Sequence, residues 1–261
     1  MSSTSADAVA VPAPHPLDRD ARPGLARLTR VELRKMVDTR SGFWLLLVVA
    51  ALMALVVVVV ELAGKEHDRV FSELLSGTIQ TGAYLLPVVG ILLVTAEWGQ
   101  RTALVSFALV PRRLRVVLAK VLAGVVLALA AVLVAFVFSA LGVAIAPPGT
   151  GADWSLSLGL IGQDFLYGLI LMMIGIAFGT ALLSSAPAIV LYFALPIAIG
   201  ALGSISAISG TVEWLEINAF EALTKEVASG HQWAQILTAS LLWIAVPLAI
   251  GLWRIRRSEI R

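Results

Sequence analysis

The chain has 261 residues, of which 59% are hydrophobic and only 14% charged, and its mean hydropathy is +0.93. A soluble domain carries about 25% charged residues, so this composition excludes an ordinary soluble domain and points to a membrane protein. The net charge of +2 is too small to argue for a nucleic-acid partner, and the absence of cysteine excludes disulfides, thiolate metal sites and cysteine nucleophiles.

Residues 1–24, rich in Ser, Ala and Pro, have no long apolar core and read as a flexible tail rather than a secretory signal. The next segment, about residues 25–40, is "LARLTRVELRKMVDTR". Arg27, Arg30, Arg34 and Asp38 recur there at helical spacing, with Leu25, Leu33, Met36 and Val37 on the other side. The pattern predicts an amphipathic helix lying in the membrane interface with its cations near anionic lipid. A solvated helix ahead of the membrane is the alternative.

A helical span needs about 20 apolar residues to cross about 30 Å of hydrocarbon. Six stretches qualify: Phe43–Leu62, Leu74–Ala96, the uncharged run that begins after Lys120 and reaches Pro147, Gly159–Leu183, Ala186–Ile208 and Ala234–Trp253. The fourth and fifth share one charge-free run from Phe165 to Val212, divided by the very short turn "SSAP" at Ser184–Pro187. The predicted fold is therefore an all-α membrane protein with six transmembrane helices.

Lys and Arg set orientation. Before the first span lie Arg19, Arg22, Arg27, Arg30, Arg34, Lys35 and Arg40. Between the second and third lie Arg101, Arg112, Arg113, Arg115 and Lys120, and after the last lie Arg254, Arg256, Arg257 and Arg261. The other side has only Lys65, Arg69 and Lys225. This asymmetry places both termini in the cytoplasm, as an even number of spans requires. Trp44, Trp98, Trp154, Trp214, Trp233 and Trp253 fall near predicted span ends, where indole prefers the headgroups; Trp243 alone is mid-span.

Outside, about residues 211–230, "TVEWLEINAFEALTKEVASG" places Val212, Leu215, Ala219, Leu223 and Val227 on one helical face. An amphipathic external helix before the last span is expected, lying on or dipping into the outer leaflet.

Catalytic motifs are missing. There is no G-x-x-x-x-G-K-[ST] phosphate loop, no H-E-x-x-H and no G-x-S-x-G. His15, His67 and His231 lie outside the spans, and "KEHDR" at Lys65–Arg69 reads as a solvated charge run rather than a metal site. Asp164 is the candidate acid within a span. It reads as an interfacial or helix-start acid, or as a polar group facing a transport path or subunit seam. Gly175 and Gly179 form G-x-x-x-G, which suits a dimer seam or packing inside one subunit equally. Pro87, Pro187, Pro196 and Pro247 are candidate kinks.

The loop "AEWGQRTALVSFALVPRRLRVVLAK" gathers five cations beside Glu97. A topological anchor explains the cations but not the spacing of Glu97, Gly99, Thr102 and Pro111. This loop resembles that of ABC-2 type permeases, the membrane subunits of one class of ABC exporters. The matching residues are Glu97, Gly99, Thr102, Pro111, Arg112, Arg113 and Lys120, with Trp98 where the family commonly has tyrosine. "VELRKMVDTRSGFW" resembles the family's elbow helix and "LWRIRRSEIR" its usual ending. The resemblance covers about Arg30 to Arg261.

The resemblance implies a six-span transmembrane domain over residues 25–261, with an elbow helix at about 25–40 that carries Arg27, Arg30 and Arg34. It implies a coupling loop at about 97–116, seated in a groove of a separate ABC ATPase subunit. Leu104 and Phe107 would face that groove or the permease body, and Glu97 would cap the short helix after it. Two ATPase subunits and a second permease subunit, identical or different, would complete the transporter. ATP and Mg would bind the ATPase, and this chain would hold no cofactor and catalyse nothing itself. The implied function is export of an amphipathic or hydrophobic substrate, such as a drug, antibiotic peptide or lipid, across a bacterial cytoplasmic membrane. A stand-alone immunity or anchoring protein without transport is the alternative, and an intramembrane enzyme is disfavoured because no pair of catalytic groups lies in the spans.

Overall fold

A computed structural model describes residues 24–65, 69–99, 113–147, 151–155 and 157–257. The tail and most of the loop, including Thr102, Leu104, Phe107, Pro111 and Arg112, lie outside the described residues, as do residues 66–68.

The described chain is nearly all helical, and six helices are long and apolar enough to cross a membrane. A short helix, α1 (Leu25–Asp38), precedes them. The first span is α2 (Arg40–Ala63), started by Thr39, whose side chain accepts from the Gly42 N–H. The second is broken into α3 (Phe71–Ala83) and α4 (Leu86–Gly99). Proline is the cause: the Pro87 ring would collide with the carbonyl four residues back, at Ala83, where α3 ends. The third span is α5 (Arg113–Ile145), the fourth α6 (Leu158–Leu182) and the fifth α7 (Ser185–Gly203). The α6–α7 turn is as tight as the sequence requires. It is made by placing Leu183 in the left-handed region, at φ 54°.

The sixth span comprises α10 (Gly230–Ser240), a π-helical turn (Leu241–Ala245) and α11 (Val246–Arg257). A capping box between Ser229 and Gln232 starts it. The widened turn falls where Pro247 offers no N–H to the carbonyl of Trp243, so the regular ladder is interrupted there. The fifth span ends at Gly203, five residues short of the expected Ile208, where the chain turns.

The segment at 211–230, expected as a single amphipathic helix outside, differs from that expectation. It folds as α8 (Ser209–Val212), a 3-10 turn (Ile217–Glu221) and α9 (Ala222–Lys225). The reason lies in its carbonyls. Trp243 Nε1 donates to the Leu215 carbonyl at 2.8 Å, and Gln163 Nε2 donates to those of Leu223 and Glu226 at 3.1 and 2.8 Å. Groups that a continuous helix would pair internally are held by side chains of the spans. Phe220 and Leu223 become fully buried, whereas Val227 is exposed. Trp243 is thereby explained: it lies mid-span because it is a core residue, stacked on Phe178.

Helix α6 is the centre of the bundle. Its most apolar window is 67% buried, against 17% for the first span and 11% for the fifth, whose side chains face outward. Its closest neighbour is α4. A Cβ on Gly175 would lie 2.0 Å from the Pro87 carbonyl oxygen, and Gly179 faces the Ile91 backbone. The G-x-x-x-G motif thus packs two helices of one chain backbone to backbone.

Candidate functional site

Four ionisable side chains meet at the end of the bundle where α1 lies. Glu32 and Lys35 come from α1, Glu97 from the last turn of α4 and Lys120 from the first turns of α5. Lys120 Nζ lies 2.6 Å from Glu32 Oε2 and 3.4 Å from Glu97 Oε2, and it donates to the Leu93 carbonyl at 3.0 Å. Lys35 Nζ bridges the same two acids, at 2.7 Å from Glu32 Oε1 and 2.5 Å from Glu97 Oε1. Two anions and two cations therefore neutralise one another. Glu32, Glu97 and Lys120 are only 5%, 6% and 5% exposed and so are shielded from solvent, whereas Lys35 is half-exposed.

The electrostatics follow from this geometry. Burial pulls the Lys35 ammonium down, but its hydrogen bonds to Glu32 and Glu97 outweigh that, and its pKa stands above the ordinary 10.5. Three donors on Lys120 meet three acceptors, as burial of an ammonium demands.

The two strands of chain that frame residues 100–112 are therefore locked to each other and to α1. Glu97 was expected to cap the helix after it; its carboxylate reaches Lys35 and Lys120, and the capping contact would involve residues outside those described. Gly99 closes α4 and Arg113 opens α5. Arg27 and Arg30 are exposed, as is Arg34, which pairs with Asp38 at 3.1 Å. The face of α1 that docks includes Leu33 and Met36 of the expected apolar side and adds Glu32 to it. Glu32 and Met36 are buried, while Val37 is 53% exposed.

At the opposite end, Asp164 in the second turn of α6 is buried to 1% exposure. Its Oδ2 accepts from the Ser76 hydroxyl of α3 at 3.4 Å, and its Oδ1 has no hydrogen-bond partner among the described residues. Ser139 of α5 and Thr78 of α3, both fully buried, bond each other at 3.4 Å. Asp164 thus faces the interior of the bundle. Among the described residues there is no cluster of three metal-ligating side chains.

Sequence reasoning found Glu97, Lys120 and Asp164 but missed Glu32, Lys35, Ser76 and Gln163. A signal for Glu32 existed: it stands four residues before Met36, on the apolar side of the amphipathic pattern, and a lone acid there calls for a buried cation. Ser76 and Gln163 gave no such signal, because their partners come from distant helices and from backbone. No protein-family model matches the chain, and no curated protein matches it.

Proposed function

We propose that this chain is the membrane-spanning permease subunit of an ATP-driven exporter of the ABC-2 type. In this reading α1 is an elbow helix at the cytoplasmic face of a bacterial cytoplasmic membrane, and both termini are cytoplasmic. Residues 97–116 form the coupling loop, seated on a separate ATPase subunit that binds ATP and Mg. Two ATPases and a second permease complete the assembly, which moves an amphipathic or hydrophobic substrate outward. The three pieces between α7 and α10 cap the outer end of the pathway.

One observation carries the reading. The cluster of Glu32, Lys35, Glu97 and Lys120 ties both ends of the loop to α1. A push on a loop hinged at separate points would be absorbed locally. A push on a loop whose two ends are clamped together moves α4 and α5 as a unit, and α4 is packed backbone to backbone on the central helix α6. Movement at the loop is thereby delivered to the middle of the bundle.

The test uses the natural absence of cysteine. A single cysteine at Thr102, treated with a bifunctional maleimide in native membranes, should cross-link to a nucleotide-hydrolysing chain, and ATP should change the yield. Cross-linking to no such chain, with the cysteine otherwise reactive, would favour the stand-alone anchoring protein.

A further inference from the structure

We propose that the recess between α6, α7 and the last span is a binding site for one anionic phospholipid of the leaflet at the α1 end. The inference stands independently of the transport reading.

The recess has a volume of about 330 Å³. Phe178, Leu182, Leu191, Leu195, Trp243 and Pro247 line it, and among the described residues Arg254 is the only charged one on its wall. Its floor is the stacked pair Phe178 and Trp243, both buried, with ring centroids 6.0 Å apart. Its lips, Leu191, Val246 and Ile250, are exposed on the outer surface of the bundle, so it opens sideways toward lipid. An apolar recess at this depth meets hydrocarbon, not water, and an acyl chain is the hydrocarbon that surrounds it.

Charge selects the class of lipid. The Arg254 guanidinium donates to the Ala181 carbonyl, in the last turn of α6. The contact holds a cation at a helix C-terminus, where it is favoured, and fixes it at the mouth of the recess. Arg has five donors, and its planar fork suits phosphate oxygens. One turn further along, Arg257 lies over the Trp253 ring at 4.6 Å, adding a second cation on the same side. Depth agrees as well. Trp243 and Arg254 are separated by about 16 Å at 1.5 Å per residue, about half of a hydrocarbon core of about 30 Å. The site therefore spans one leaflet, with the tail at Trp243 and the phosphate at Arg254. The π turn forms part of the recess wall, and such turns recur where helices make room for ligands.

The test is native mass spectrometry of the full chain in detergent, offered phosphatidylglycerol and phosphatidylcholine with identical acyl chains. One phosphatidylglycerol should be retained per chain, preferred about tenfold, the discrimination expected of a charge-assisted contact. R254Q should lower that preference to about unity, and R254K should keep part of it. L195W, which fills the recess and leaves the cation, should reduce retention of both lipids. Melting temperatures near that of the parent chain would show that these variants are folded. Equal retention of the two lipids by the parent chain would overturn the proposal, as would an intact preference in folded R254Q. Retention of a non-lipid amphipath that neither phospholipid displaces would also overturn it.

Discussion

The two ends of the bundle bury charge in opposite ways. At the α1 end, two glutamates and two lysines share five contacts between 2.5 and 3.4 Å with side-chain or backbone partners, and the cluster is neutral. At the other end, Asp164 is just as deeply buried, yet it has one hydroxyl at 3.4 Å and an oxygen with no partner among the described residues. A buried charge is tolerable when opposite charge and hydrogen bonds compensate its lost hydration, and costly when they do not. The first end is therefore a structural tie. Asp164 lacks that compensation, and a buried acid of this kind inside a membrane is a candidate functional group.

Removing one member of the tie should have the largest effect. K120M removes the deeply buried cation and leaves Glu32 and Glu97 with only the half-exposed Lys35 between them. Thermal unfolding in detergent should register a loss of about 3–5 kcal/mol, the cost of breaking a buried pair from one side. Adding E32Q to K120M should recover part of it, with a coupling of about 0.5–3 kcal/mol. Strict additivity would mean that the two groups do not interact.

Asp164 should behave in the reverse sense. D164N keeps an acceptor for Ser76 and removes a chargeable group, so the protein should be as stable as the parent or more stable, by about 1–3 kcal/mol. If the chain is the proposed permease, transport should fall despite normal membrane insertion. A destabilisation as large as that of K120M would show that Asp164 belongs to a satisfied network and would erase the contrast.

The pH response separates the ends further. Because the folded pKa of Lys35 lies above its ordinary 10.5, its contribution is complete below pH 10.5. It is lost as pH rises through the higher folded value. Alkaline unfolding of E97Q should begin at lower pH than that of the parent chain, since one of the groups raising Lys35 is gone. Identical alkaline profiles would place Lys35 outside the tie.

The smallest effect is expected away from both ends. Leu183 holds a left-handed backbone, which costs a residue with a Cβ about 1–2 kcal/mol, and glycine avoids that cost while losing more chain entropy. L183G should therefore change stability by less than about 1 kcal/mol, giving the scale against which the charged sites are read. A loss as large as that of K120M would mean that packing of the Leu183 side chain, not its backbone, sets the turn.

Much of this architecture was legible in the sequence because hydrocarbon imposes a length and a composition that a chain must display openly. All six spans appear with ends within a few residues, apart from the third, which begins at Leu114 rather than after Lys120, and the shortened fifth. The segment between α7 and α10 was not legible as three pieces, because its carbonyls are taken by Gln163 and Trp243 from helices far away in sequence. Helical periodicity reports the preference of a segment alone. The charge cluster was half legible: Glu97 and Lys120 stand out beside a loop, whereas Lys35 looks like one of many interfacial cations until the helix carrying it is docked.

The central claim is that this chain works by coupling to a separate ATPase. The most direct measurement is ATP hydrolysis by the complex purified through this chain from its native membranes in mild detergent. The account predicts a co-purifying chain with a G-x-x-x-x-G-K-[ST] loop, in equal amount, and ATP turnover that is lost when that loop's lysine is replaced. Purification of the chain free of any such partner, with no turnover, would contradict it.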